Sequence, residues 1–98
     1  MDINIMQLRA LRNHKRRGYT NDLPTLGLGL CEEAGEIAKA INLLNPLYTP
    51  SDHCKHHDLK HEVADLLIYV CAIANAAKLD LNEIMEEKLI YNEPPEEK

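Results

Sequence analysis

Apolar residues recur at three- and four-residue spacing along four stretches of the chain, the period of an α-helix. The first predicted helix runs from about Asp2, which can N-cap it, to about Arg17. Ile5, Met6, Leu8 and Leu11 make its apolar side. Gly18 and Pro24 then punctuate the chain, and Asn21-Asp22 between them favours a turn. A second helix starts near Pro24 or Thr25, since proline suits a first turn, and ends before Pro46. Leu26, Leu30, Ile37, Ile41 and Leu44 are its helical stripe. Residues 45–57, with two prolines, read as a loop. A third helix is expected from about Asp58 to Ala77. The fourth opens at Asp80, with Glu83 three residues on as in a capping box, and continues to about Asn92 before Pro94-Pro95. No stretch reads convincingly as a strand. The pattern predicts an all-α, antiparallel four-helix bundle in a single domain over 1–98, with an acidic tail from about 93.

Size and composition change that picture in one respect. A chain of 98 residues has a thin core, and 45% apolar residues without Phe or Trp make that core aliphatic. The third helix, "VADLLIYVCAIANAA", is apolar nearly all the way round and asks for burial on most sides. One short bundle does not easily cover it, so the expected architecture is completed by homo-oligomerisation, as a homodimer or homotetramer. The net charge of −5 argues against binding a nucleic-acid polymer. Lys15-Arg16-Arg17 reads as a solvated helix end, with a phosphate contact as the sharper reading. Cys31, Cys54 and Cys71 are odd in number and lack C-x-x-C spacing, which suits free thiols in a reducing compartment. Cys31 and Cys71 are expected to be buried and inert. With no signal-peptide core and no membrane-length apolar run, the expectation is a cytoplasmic protein without a membrane partner.

The candidate chemistry lies in acidic residues. "LCEEAGEIAKAI" places Glu32, Glu33 and Glu36 within five residues of a helix meant for packing, where like charges repel. On a helical wheel Glu33 falls roughly 50° from the centre of the apolar stripe, Glu36 roughly 110° and Glu32 roughly 150° away. Glu33 and Glu36 therefore flank the packed interface, and Glu32 points outward. On the third helix Asp65 sits inside the apolar stretch, three residues after Glu62. A carboxylate there is costly unless paired or bound to metal. Two antiparallel helices, each with a carboxylate pair at i and i+3, would focus four oxygen donors on one volume. A hard divalent cation such as Mg²⁺ resolves their repulsion. Taken singly, either motif is common on a solvated helix face.

The pattern E-E-x-x-E at Glu32, Glu33 and Glu36, followed by E-x-x-D at Glu62 and Asp65, resembles the signature of the MazG-like all-α nucleotide pyrophosphohydrolases. "GLCEEAGEIAKAI", "HEVADLLIYVCAIANAAKLDLNEI" and "EKLIYN" carry the resemblance, over about residues 26–92. It implies Mg²⁺-dependent hydrolysis of nucleoside triphosphates, NTP or dNTP, to monophosphate and pyrophosphate, with Mn²⁺ as an alternative ion. Glu33, Glu36, Glu62 and Asp65 would be the metal ligands, and Glu33 the residue that activates water. Lys88 and Asn92 match family positions that contact triphosphate or sugar. The tail "NEPPEEK" departs from the basic segment many relatives carry. Lys15, Arg16 or Arg17 is the candidate replacement for that phosphate contact.

Other readings stay open at this level. A related substrate, phosphoribosyl-ATP, would use the same carboxylates. A non-catalytic helical dimer that binds nucleotide or a protein partner would use them structurally. His53, Cys54, His56, His57 and His61 are metal-ligand types in a spacing that fits no standard zinc site. Tyr19 and Tyr48 lie in loops, where they pack, stay at the surface or stack on a base.

Overall fold

A computed structural model of the protein describes residues 2–47 and 58–94. It has four helices: α1 (Ile3–Arg17), α2 (Leu23–Asn42), α3 (Leu59–Ala76) and α4 (Leu81–Asn92). Among the described residues there is no strand. Each helix is opened by an aspartate whose carboxylate accepts a backbone N–H of the first turn. Asp2 accepts from Ile5 at 2.9 Å, Asp22 from Thr25 at 3.1 Å, Asp58 from Lys60 at 3.0 Å and Asp80 from Glu83 at 3.0 Å. The Thr25 hydroxyl also donates to Asp22 at 2.7 Å. That bond, with the backbone one, holds the Asp22 carboxyl below its ordinary range. The turn expected at Asn21-Asp22 is thus the cap of α2, which begins one residue before Pro24. Gly18, at φ 69°, ends α1 in the left-handed conformation that glycine adopts without cost.

α3 is the central helix, packed against α2 on one side and α1 on the other, while α4 leans on α1. Gly29 lets α2 come close to α3: a Cβ built there would overlap the Tyr69 ring. Gln7 fixes α1 to the α3–α4 turn. Its amide donates to Asn75 Oδ1 at 3.0 Å and to the Leu79 carbonyl at 2.6 Å, and its Oε1 accepts from the Leu81 N–H at 3.0 Å. Asn75 donates back to the Gln7 carbonyl at 3.1 Å. The core cluster is small: Ala10, Cys71, Ala74 and Leu81, with Ile3, Val70 and Ile84 packed on it.

Several expected core positions are not covered. Ile5 and Leu8 of α1 are about half exposed, so its buried residue is Ala10. On α2, Leu26 and Ala40 are buried, but Ile41 and Leu44 are exposed. On α3, Cys71, Ala72 and Ala74 are buried, whereas Val63, Leu67 and Ile68 are 40–48% exposed. The four helices therefore do not close a bundle within one chain. The radius of gyration is 16.7 Å, against about 13 Å expected for a compact domain of this length. Among the described residues no helix is long and apolar enough to cross a membrane.

Candidate metal centre

α2 and α3 run antiparallel and touch at Gly29 and Tyr69. One turn further along α2 is Glu33, and one turn back along α3 is Asp65, so that register sets them opposite each other. Glu62 lies one turn beyond Asp65 on the same face. One carboxylate oxygen from each of Glu33, Glu62 and Asp65 falls within 4.8 Å of the others. Glu33 is half-buried, and its Oε2 is covered with no hydrogen-bond partner. Desolvation raises the proton affinity of this carboxyl above the ordinary value of 4.5, and the charges of Asp65, Glu62, Glu36 and Glu32 raise it further. The residues of this centre offer oxygen donors only, one of them covered and unpartnered. That donor set suits a hard divalent cation.

The remaining predicted site residues are placed as follows. Glu36 is half-buried, and its Oε1 lies 4.0 Å from Lys39 Nζ. It is close enough to act on Glu33 electrostatically, yet it is not one of the three that converge. Glu32 is exposed, on the outward side that the wheel assigns to it. Lys88 is exposed on α4 with Nζ 4.9 Å from the Tyr91 ring centroid, and Asn92 ends the same helix. Lys15 is exposed and borders a hollow of about 350 Å³ with His14, Tyr19 and Lys78. Arg16 donates to Asn13 Oδ1 at 3.4 Å, and Arg17 donates to the Tyr19 hydroxyl at 3.2 Å.

His53, Cys54, His56, His57 and Tyr48 lie outside the described residues. His61 is exposed beside Asp58 at 3.9 Å. Cys71 is buried, and that burial pushes its thiol pKa up. Cys31 is exposed, against expectation, because it faces away from α3 next to the outward Glu32. Sequence reasoning passed over Gly29 and Tyr69, the contact that sets the register of the centre. Their signal was spacing: Gly29 is four residues before Glu33, and Tyr69 four after Asp65.

The class of protein defined so far is an all-helical chain with a carboxylate centre, built on two antiparallel helices, that fits a divalent cation. A family model described as the MazG nucleotide pyrophosphohydrolase domain matches residues 22–94, from the cap of α2 to just past α4, and the chain belongs to that family. No curated protein and no solved structure gives a significant match.

Proposed function

We propose that this chain is a Mg²⁺-dependent hydrolase of nucleoside triphosphates, NTP or dNTP, that yields the monophosphate and pyrophosphate and works as a cytoplasmic homo-oligomer. Glu33, whose Oε2 is covered and unpartnered and whose carboxylate converges with those of Glu62 and Asp65, carries the reading. A buried polar atom without a partner calls for one. Three converging carboxylates rule out another anion and favour a cation. In this reading Glu33, Glu36, Glu62 and Asp65 hold the ion, with Glu36 leaving Lys39 to join. The bound ion supplies neutralisation of phosphate oxygens and acidification of water. Glu33 would accept the proton of the attacking water. Lys88, Asn92 and Lys15 supply the cationic and polar contacts to phosphate and sugar. The uncovered apolar positions on α1, α2 and α3 support self-association.

The test is pyrophosphate release from a panel of canonical and modified NTPs and dNTPs, with Mg²⁺ and with EDTA. The expected result is metal-dependent release with monophosphate as the other product. Glu36→Gln and Asp65→Asn should each abolish turnover while helicity is kept, and Glu32→Gln should be milder than Glu33→Gln. Absence of release by well-folded protein overturns the activity. Near-normal turnover by Asp65→Asn overturns the metal assignment.

A further inference from the structure

The acidic centre has two unlike ends. At one of them Gly29 of α2 meets the ring of Tyr69 on α3, and the two helices touch. Because α2 and α3 run antiparallel, the step from Glu33 to Glu36 on α2 matches the step from Asp65 back to Glu62 on α3. One turn further on, level with the start of α3 at Leu59, comes Lys39. It is the one basic residue of α2, which also carries Glu32, Glu33 and Glu36. A polyphosphate that leaves the centre along this seam meets an aromatic ring in one direction and a cation in the other.

Lys39 faces the carboxylate that stands apart from the other three. Its Nζ lies 4.0 Å from Glu36 Oε1, and the two side chains are 45% and 31% exposed. Glu36 acts on Glu33 through its charge, yet it does not converge with Glu33, Glu62 and Asp65. An ion pair this long and this exposed is weak, so a divalent cation displaces it readily. A lysine ammonium is a compact charge on a flexible stem, able to serve two partners in turn.

We propose that Lys39 exchanges one partner for another in the working cycle: it holds Glu36 off the centre in the ion-free protein and, released when Glu36 joins the ion, contacts the β- and γ-phosphates that leave as pyrophosphate. Ion binding thereby frees the cation that the triphosphate needs, and the two ligands bind in order. This assignment rests on the metal-dependent hydrolysis put forward above and adds a residue to it.

Two binding measurements test it. One is Mn²⁺ binding to the phosphate-free protein, read from loss of the free-ion electron paramagnetic resonance signal. The other is calorimetry of inorganic pyrophosphate binding in excess Mg²⁺. Lys39→Gln should bind Mn²⁺ about two- to fivefold more tightly than the wild type, because nothing then competes for Glu36. The same variant should bind pyrophosphate about tenfold or more weakly, because a charge-assisted contact is lost. Lys39→Arg, which keeps the charge, should stay near the wild type in both. In a Glu36→Gln background, where Glu33, Glu62 and Asp65 remain, Lys39→Gln should no longer raise Mn²⁺ affinity. A gain that survives there comes from the general field of the protein and overturns the hold on Glu36. Lys60→Gln removes an exposed cation from the first turn of α3 and should weaken pyrophosphate binding less than Lys39→Gln does. An equal loss overturns the phosphate contact. If Lys39→Gln matches the wild type in both measurements, the proposal falls and the metal centre stands. A wild type that binds no Mn²⁺ overturns the metal reading and this proposal with it.

Discussion

At the scale of single residues, Glu33 links stability to pH and to metal. Its native proton affinity lies above the ordinary carboxyl value of 4.5, first through desolvation and then through its acidic neighbours. In the window between those two values the native state holds more proton than the unfolded chain, so stability falls as pH rises. The stabilising contribution is complete below 4.5 and is gone once pH exceeds the native value. Metal-free protein should therefore lose thermal stability as pH rises through this window. Glu33→Gln should flatten that loss and be the more stable protein at neutral pH in EDTA. Mg²⁺ should reverse the order, stabilising the wild type by about 2.7 kcal/mol at a hundred times its dissociation constant and Glu33→Gln far less. Melting curves across pH, with and without Mg²⁺, check this; equal stability of the two proteins in neutral EDTA would count against it. The wheel made the difference between Glu33 and Glu32 legible, because angle alone separates them. It did not reveal that Glu36 stays with Lys39, since angle says nothing about which partner a long side chain reaches.

At the scale of elements, the centre depends on how closely two helices approach. Gly29 gives α2 room beside the Tyr69 ring, and that contact holds Glu33 opposite Asp65. Gly29→Ala should force the helices apart or turn the ring, at a cost of about 1–3 kcal/mol. It should also lower turnover more than its stability loss explains, because the carboxylates no longer converge. Combined with Tyr69→Leu, the Gly29→Ala change should cost less than the sum of the two, and thermal unfolding of the four proteins measures that coupling. Strict additivity would place the ring away from Gly29. The helices themselves were readable because their signals are local: Asp2 before α1 and Asp80 before α4, Gly18 after α1 and proline in the first turn of α2. The Gln7 bonds to Asn75, Leu79 and Leu81 were not, since their partners lie about seventy residues away in sequence.

At the scale of the whole molecule, sequence periodicity showed that four helices exist but could not say which of them close on one another. A stripe such as Leu26 to Leu44 asks for a partner surface without stating whether it comes from the same chain. Here Leu26 is buried while Ile41 and Leu44 are exposed, and α4 lies on α1. The result is a chain 16.7 Å in radius of gyration whose core is mostly alanine, cysteine and single leucines. Burial at roughly 25 cal/mol per Å² gives such a core little stability by itself, so the proposed association becomes part of the folding free energy. Unfolding should then depend on protein concentration. If the folded state is a dimer and the unfolded chain is not, each tenfold dilution removes about 1.4 kcal/mol per mole of dimer and lowers the melting temperature. Melting curves over a hundredfold concentration range in EDTA isolate this effect from metal binding. A midpoint that does not move with concentration would mean that the exposed leucines and isoleucines are left to water, and that the monomer is stable without them.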